Sequence, residues 1–112
     1  ICDRHTASTV AYQGHGRGLD LALIQQLNEM ATGGLVPDLT VLLDLSPLVG
    51  LSRRGAAGND SFESAPQAFQ SKVREGYLAQ AAEAPERWLV LDGSRPQSEL
   101  SRKIWTKVQP LL

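Results

Sequence analysis

The residues best suited to chemistry stand together at the start of the chain. Ile1 to Gly18 hold an acid, Asp3, and cationic or titratable groups at Arg4, His5, His15 and Arg17. Hydroxyls follow at Thr6, Ser8 and Thr9, with a phenol at Tyr12, an amide at Gln13 and glycines at 14, 16 and 18. A segment that only fills a core does not need that mixture; a segment that binds a small, polar, phosphorylated ligand does. Arg4 offers a planar fork of donors that matches phosphate oxygens. Asp3 can hold a magnesium ion or orient the arginine. Ser8, Thr9 and Gln13 can donate or accept hydrogen bonds along the edge of a base. Tyr12 can stack, donate or block a space. The three glycines predict a turn-rich exit. A purely structural reading stands beside each of these. Asp3 and Arg4 can form a salt bridge or cap after a strand, the hydroxyls can cap the next segment, and Tyr12 can belong to the core.

The elements that must position these residues follow from periodicity. Asp20 is an N-cap, and Leu23, Ile24, Leu27, Met30 and Ala31 recur at helical spacing. Gly33 and Gly34 stop that helix and Pro37 prevents its resumption. Leu39 to Leu45 is a nearly continuous apolar run, as in a parallel strand covered on both faces. Asp44 interrupts the run near its carboxyl end, where open α/β sheets bind ligands. Ser46-Pro47 reads as a helix start. Gly55 to Ser64 lacks periodicity and reads as a mobile loop. A further helix opens near Ser64-Ala65-Pro66, with Phe69, Val73, Tyr77 and Ala81 on one face. Trp88 to Leu91 is a short buried strand. The last helix, capped by Ser94 or a neighbour, turns Leu100, Ile104, Val108 and Leu111 inward, and Glu99 pairs with Lys103 outside. Strands alternating with helices predict an α/β fold with a parallel sheet.

Totals bound the alternatives. One hundred and twelve residues make at most one small domain. A net charge of −1 argues against a surface that coats nucleic acid. No apolar run approaches the length of a membrane-spanning helix. A single cysteine, Cys2, forms no internal disulfide and is expected to pack in a strand; a reducing cytoplasm is the simplest compartment. His5 and His15 have no metal-like spacing with other ligands. The opening Ile1-Cys2 reads as the end of a buried strand, which predicts the C-terminal part of a longer protein.

Asp3-Arg4-His5, Ser8-Thr9 and the run from Ala11 to Leu19 (Ala-Tyr-Gln-Gly-His-Gly-Arg-Gly-Leu) resemble the thymidylate kinase family, in which an Asp-Arg-Tyr/His triplet precedes an Ala-Tyr-Gln-Gly run. Gly33 to Leu45 is similar to the family's next strand, and Gly50-Leu51-Ser52-Arg53-Arg54 to the entry of its lid. Val73-Arg74-Glu75-Gly76-Tyr77-Leu78 and Val90-Leu91-Asp92 also fit. The resemblance covers nearly the whole chain. It implies a P-loop nucleoside monophosphate kinase fold with a parallel sheet flanked by helices. Residues 1–112 would be the C-terminal part of that single domain and 53–64 its lid loop. The phosphate-binding glycine-rich loop would lie outside this chain, which contains no Gly-x-x-x-x-Gly-Lys-Ser/Thr pattern and so is not expected to transfer phosphate alone.

The resemblance further implies transfer of the γ-phosphate of MgATP to dTMP by a cytoplasmic homodimer that binds neither nucleic acid nor membrane. Arg4 would hold nucleotide phosphates and Asp3 would stand near Mg2+. Ser8, Thr9, Tyr12 and Gln13 would line the acceptor site, with Thr9 at the pyrimidine edge and Tyr12 crowding the sugar 2′ position. Arg53 and Arg54 would clamp ATP phosphates, although basic residues at a helix C-terminus also complement its dipole. Asp92 and Gly93 would pass the adenine, although Asp92-Gly93-Ser94 is an equally good capping turn. One departure matters. The family's lid ends in Asp-Arg-hydrophobic-Glu, and this chain reads Asp60-Ser61-Phe62-Glu63. That substitution motivates a second expectation, a homologue that binds nucleotides or serves dimer contacts without catalysis. A third is another monophosphate kinase.

Overall fold

The computed structural model describes residues 1–47 and 67–112. The expected lid loop, with Arg53 and Arg54, lies outside the described residues, as do the helix expected beyond Pro47 and the helix start expected at 64–66.

A short helix, α1 (Thr6–Thr9), runs directly into a π-helical segment, Val10–Gly16. Helix α2 (Leu21–Thr32) precedes strand β1 (Thr40–Asp44). Helix α3 (Gln67–Glu83) leads through a tight turn, Pro85–Arg87, to strand β2 (Trp88–Asp92), and helix α4 (Gln97–Val108) follows. The two strands pair in parallel, from Thr40 against Trp88 to Asp44 against Asp92. Their apolar runs, rich in leucine and valine, suit a parallel sheet, and the crossover through α3 is what a parallel pair requires. The expected α/β architecture is therefore present, with helices packed around a small parallel sheet. Among the described residues, no helix is long and apolar enough to cross a membrane.

Local chemistry sets the helix ends. Asp20 Oδ1 accepts from the Ala22 N–H at 3.0 Å, as an N-cap should. Gly33, at φ +65°, takes the left-handed conformation that closes α2, and the Gly34 N–H returns to the Glu29 carbonyl at 3.2 Å. In α4, Glu99 accepts from Arg95 at 3.1 Å and lies 3.3 Å from Lys103. Hydrogen bonds from Arg95 and then Lys103 hold its carboxyl below the usual range.

The core lies between the π-helical segment and α3. Ala11, Tyr12 and Val73 form it, with Phe69 and Tyr77 packed against them. The Tyr12 ring is tilted to Phe69 at 6.0 Å and edge-on to Tyr77 at 6.4 Å, both favourable aromatic arrangements.

Six expectations are corrected. The strands are not covered on both faces: Leu43 is 49% and Val90 43% exposed, because the described helices leave part of the sheet open. Ile1 and Cys2 form no strand and are exposed; Cys2 Sγ donates to the Arg4 carbonyl at 3.0 Å, because no described strand lies beside it to pair. The glycine-rich exit is helical through Gly16, since glycine removes the side chains that would collide with neighbouring elements. Of the α2 stripe only Ile24 is buried; Leu23, Leu27, Met30 and Ala31 are exposed, because α2 packs on the π-helical segment along one narrow line. Ser94 does not cap α4: its N–H and hydroxyl both bond Asp92 Oδ1, and the helix starts after Pro96. Leu111 is exposed, because it belongs to a 3₁₀ turn, Gln109–Leu111, and no longer to the face of α4.

Candidate functional site

Two cavities open at the carboxyl ends of the strands, where α/β sheets bind ligands. The first, about 190 Å3, is walled by Tyr12, Asp44, Gln70, Val73, Arg74 and Tyr77 with residues from Leu42 to Pro47. The second, about 430 Å3, lies over the ends of both strands, between Asp44, Ser46, Arg74, Asp92 and Ser94.

Each wall has a local reason for its place. Tyr12 sits in the π-helical segment, where the Arg17 N–H reaches back five residues to the Tyr12 carbonyl at 3.0 Å. Such a widened turn re-aims the side chains it carries and recurs at functional sites. Close packing on α3 fixes the segment. A Cβ on Gly16 would stand 2.7 Å from the Phe69 ring, and one on Gly76 would stand 2.8 Å from His15. Glycine at both positions lets the two helices meet.

Arg4 stands at the entrance to α1 with φ +66°, the only non-glycine residue with positive φ among those described. Its guanidinium lies 5.6 Å from the Tyr12 ring centroid, a cation–π placement. A side chain that keeps a left-handed backbone and an aromatic platform is pre-oriented for an anion.

Asp44 ends β1 and Arg74 crosses to it from α3. Arg74 Nε donates to Oδ1 at 2.8 Å and Nη2 to Oδ2 at 2.9 Å, a bidentate pair. The hydrogen bond to Asp44, then its charge, pushes the guanidinium pKa up. Ser8 Oγ and Tyr77 Oη share a 2.6 Å hydrogen bond, and Gln80 Nε2 donates to the Ala7 carbonyl at 3.1 Å. These two contacts bind α1 to α3. Gly93 is buried and lines neither cavity; its N–H donates to the Asp44 carbonyl at 2.9 Å, and a Cβ there would meet that carbonyl at 3.2 Å.

The residues singled out in the sequence are thus distributed unevenly. Tyr12 lines the first cavity and carries Arg4 on its ring. Asp92 lines the second. Ser8 reaches the first cavity through Tyr77. Asp3 and Thr9 are exposed, Gln13 is half-buried, and none of the three lines either cavity. Gln70, Arg74 and Tyr77 were not among the expected site residues. Arg74 and Tyr77 fall inside a quoted motif, and Asp44 was marked only by being charged in an apolar strand. Their spacing along α3 is the signal that groups them, since Gln70, Arg74 and Tyr77 recur on one helix face.

Among the described residues, no three His, Cys, Asp or Glu side chains converge on a metal position. A magnesium ion that keeps its waters and is held mainly by nucleotide phosphates needs only one or two carboxylates. Asp3 is an exposed carboxylate next to Arg4 that lines neither cavity.

Comparison with known proteins follows the same outline. The family model described as thymidylate kinase matches residues 1–104. Thymidylate kinase of Dehalococcoides mccartyi is 50% identical over 112 residues, which is 100% of this chain and 54% of that protein. Thymidylate kinase of Deinococcus radiodurans is 50% identical over 109 residues, covering 96% of this chain and 53% of the relative. The crystal structure of thymidylate kinase from Ehrlichia chaffeensis superposes with a TM-score of 0.67 at 31% identity, over 98% of this chain and 50% of that one. The chain spans about half the length of the relatives it matches. With the family's pattern running through every element that walls the two cavities, the chain belongs to the thymidylate kinase family.

Proposed function

We propose that this chain forms the acceptor side and part of the donor side of a nucleoside monophosphate kinase that transfers the γ-phosphate of ATP to dTMP, giving dTDP for dTTP synthesis. The observation that carries the reading is the packing of Arg4 on Tyr12 beside a cavity at the carboxyl end of β1, in a chain of this family. Phosphoryl transfer asks little covalent chemistry of a protein. It asks for positioning and for positive charge near oxygens on which negative charge spreads. Arg4 serves as that clamp. Tyr12 sets the shape of the acceptor cavity and favours a deoxyribose. Ser8, Thr9 and Gln13 supply polar contacts around the acceptor. Arg53 and Arg54 serve the lid, and Asp92 and Gly93 border the adenine. Asp3 would hold Mg2+, which when bound neutralises charge on the transferring phosphate. The working protein is a cytoplasmic homodimer.

Serine at position 61, where the resemblance expects an arginine, favours a second reading: a homologue that binds dTMP without turnover. A coupled ADP-release assay on the full-length protein carrying this chain, with dTMP, dUMP, CMP and GMP as acceptors, separates the readings. Turnover with dTMP above the others is expected. Binding of dTMP without ADP release would establish the non-catalytic reading, and preferred turnover of CMP or GMP would replace the acceptor.

A further inference from the structure

We infer that the Asp44–Arg74 ion pair is a positioning device: it fixes the wall shared by the two cavities in the geometry that accepts both nucleotides. The inference rests on the kinase reading for the identity of those nucleotides.

Both residues line both cavities. Asp44 is the last residue of β1, and Arg74 is thirty residues away on α3, so the pair ties the strand end to the helix. Gln70, one turn before Arg74, and Tyr77, one turn after, share its helix face and line the first cavity. Tyr77 extends the linkage through its 2.6 Å bond to Ser8 in α1, and its ring meets Tyr12 edge-on. A contiguous line therefore joins β1, α3, α1 and the segment that carries Tyr12. The bidentate fork fixes direction as well as distance, which a lysine cannot do.

A role in stability alone accounts poorly for this pair. The Arg74 side chain is 40% exposed and that of Asp44 20%. A pair this accessible adds only modestly to folding, although its bidentate geometry places it above most surface pairs. Position supplies a better reason. Asp44 and Asp92 are register partners at the adjacent strand ends, and both line the second cavity. Two carboxylates there repel a polyanionic nucleotide. Arg74 offsets the charge of Asp44 and so lowers that repulsion.

The test compares Arg74→Met, Arg74→Lys and the near-isosteric Asp44→Asn with the wild type in the full-length protein. KM for dTMP and for ATP should each rise about tenfold in Arg74→Met, with kcat within about threefold of wild type, because the change loosens the binding geometry. Arg74→Lys, which keeps the charge and loses the fork, should recover only part of the loss. A purely structural pair predicts a different result: fewer folded molecules, so a lower apparent kcat and unchanged KM values. That result overturns the inference, and Asp44→Asn decides the matter if Arg74→Met does not fold. Calorimetric Kd values for dTMP make the comparison independent of turnover. A wild type that binds dTMP but does not turn over defeats the kinase reading, while weaker dTMP binding by the variants still upholds the positioning role. Unchanged Kd values overturn the positioning role alone, and a wild type that binds neither nucleotide overturns both.

Discussion

Arg4 combines an unfavourable backbone with a useful side chain. For a residue with a Cβ, the left-handed region costs on the order of 1–2 kcal/mol, and Arg4 occupies it at φ +66°. Glycine accepts that conformation without strain. Arg4→Gly should therefore be more stable than Arg4→Ala by about 1 kcal/mol, since both lose the cation–π contact and only alanine retains the strain. Both should lose most turnover with dTMP. Thermal melts with parallel kinetics check the pair of variants, and equal melting temperatures would mean that the strain is absorbed elsewhere. Arg4 and Tyr12 could be read from the sequence because they sit close together in a run too polar and too varied for a core. Arg74 could not be read so directly. Its partner Asp44 is thirty residues away, and only the fold brings the fork to the carboxylate. The sequence offers Ser8 as a ligand contact and gives no sign of its hydrogen bond to Tyr77, again supplied by a distant helix.

At the scale of elements, periodicity located α2, β1, α3, β2 and α4, because each carries an apolar pattern and a chemical stop. Asp20, Gly33 and Pro85 did this work. The π-helical segment was invisible to that method, since Gly14, Gly16 and Gly18 signal turns by their intrinsic freedom. Their function here differs by position. Gly16 is required by contact: a Cβ would stand 2.7 Å from the Phe69 ring and 3.2 Å from Val73 Cγ2. That ring cannot retreat cheaply, being packed against Tyr12 and lying 5.2 Å from the Arg17 guanidinium. Gly18 is required by backbone, with φ +75° and open space where a Cβ would stand. Gly16→Ala should destabilise the protein by about 1–3 kcal/mol through overpacking, and Phe69→Leu in the same chain should relieve part of that. Gly18→Ala should cost about 1 kcal/mol and show no rescue by Phe69→Leu. Urea melts of the single and double variants distinguish the two causes; rescue at Gly18, or none at Gly16, would reverse the assignment.

The whole molecule is more open than its length requires. A radius of gyration of 14.7 Å exceeds the roughly 13 Å typical of a compact domain of this size, and the extents of 39 × 37 × 22 Å describe a slab. Large apolar side chains remain uncovered on both layers: Leu23, Leu27 and Met30 on α2, Leu43 and Val90 on the sheet. Among the described residues, two short strands offer too little surface to cover the amphipathic helices beside them. Contiguous apolar area of this kind drives association in water. Prepared as these 112 residues, the protein should self-associate as its concentration rises and enhance the fluorescence of a hydrophobic dye. Leu27→Glu changes a side chain already 54% exposed, so it should leave the melting temperature nearly unchanged while weakening association through α2. Sedimentation over a range of concentrations reads the effect. If association persists undiminished in Leu27→Glu but falls in Val90→Lys, the sheet face is the sticky surface; a wild-type chain that stays monomeric at high concentration without binding the dye would refute the exposure argument at its root.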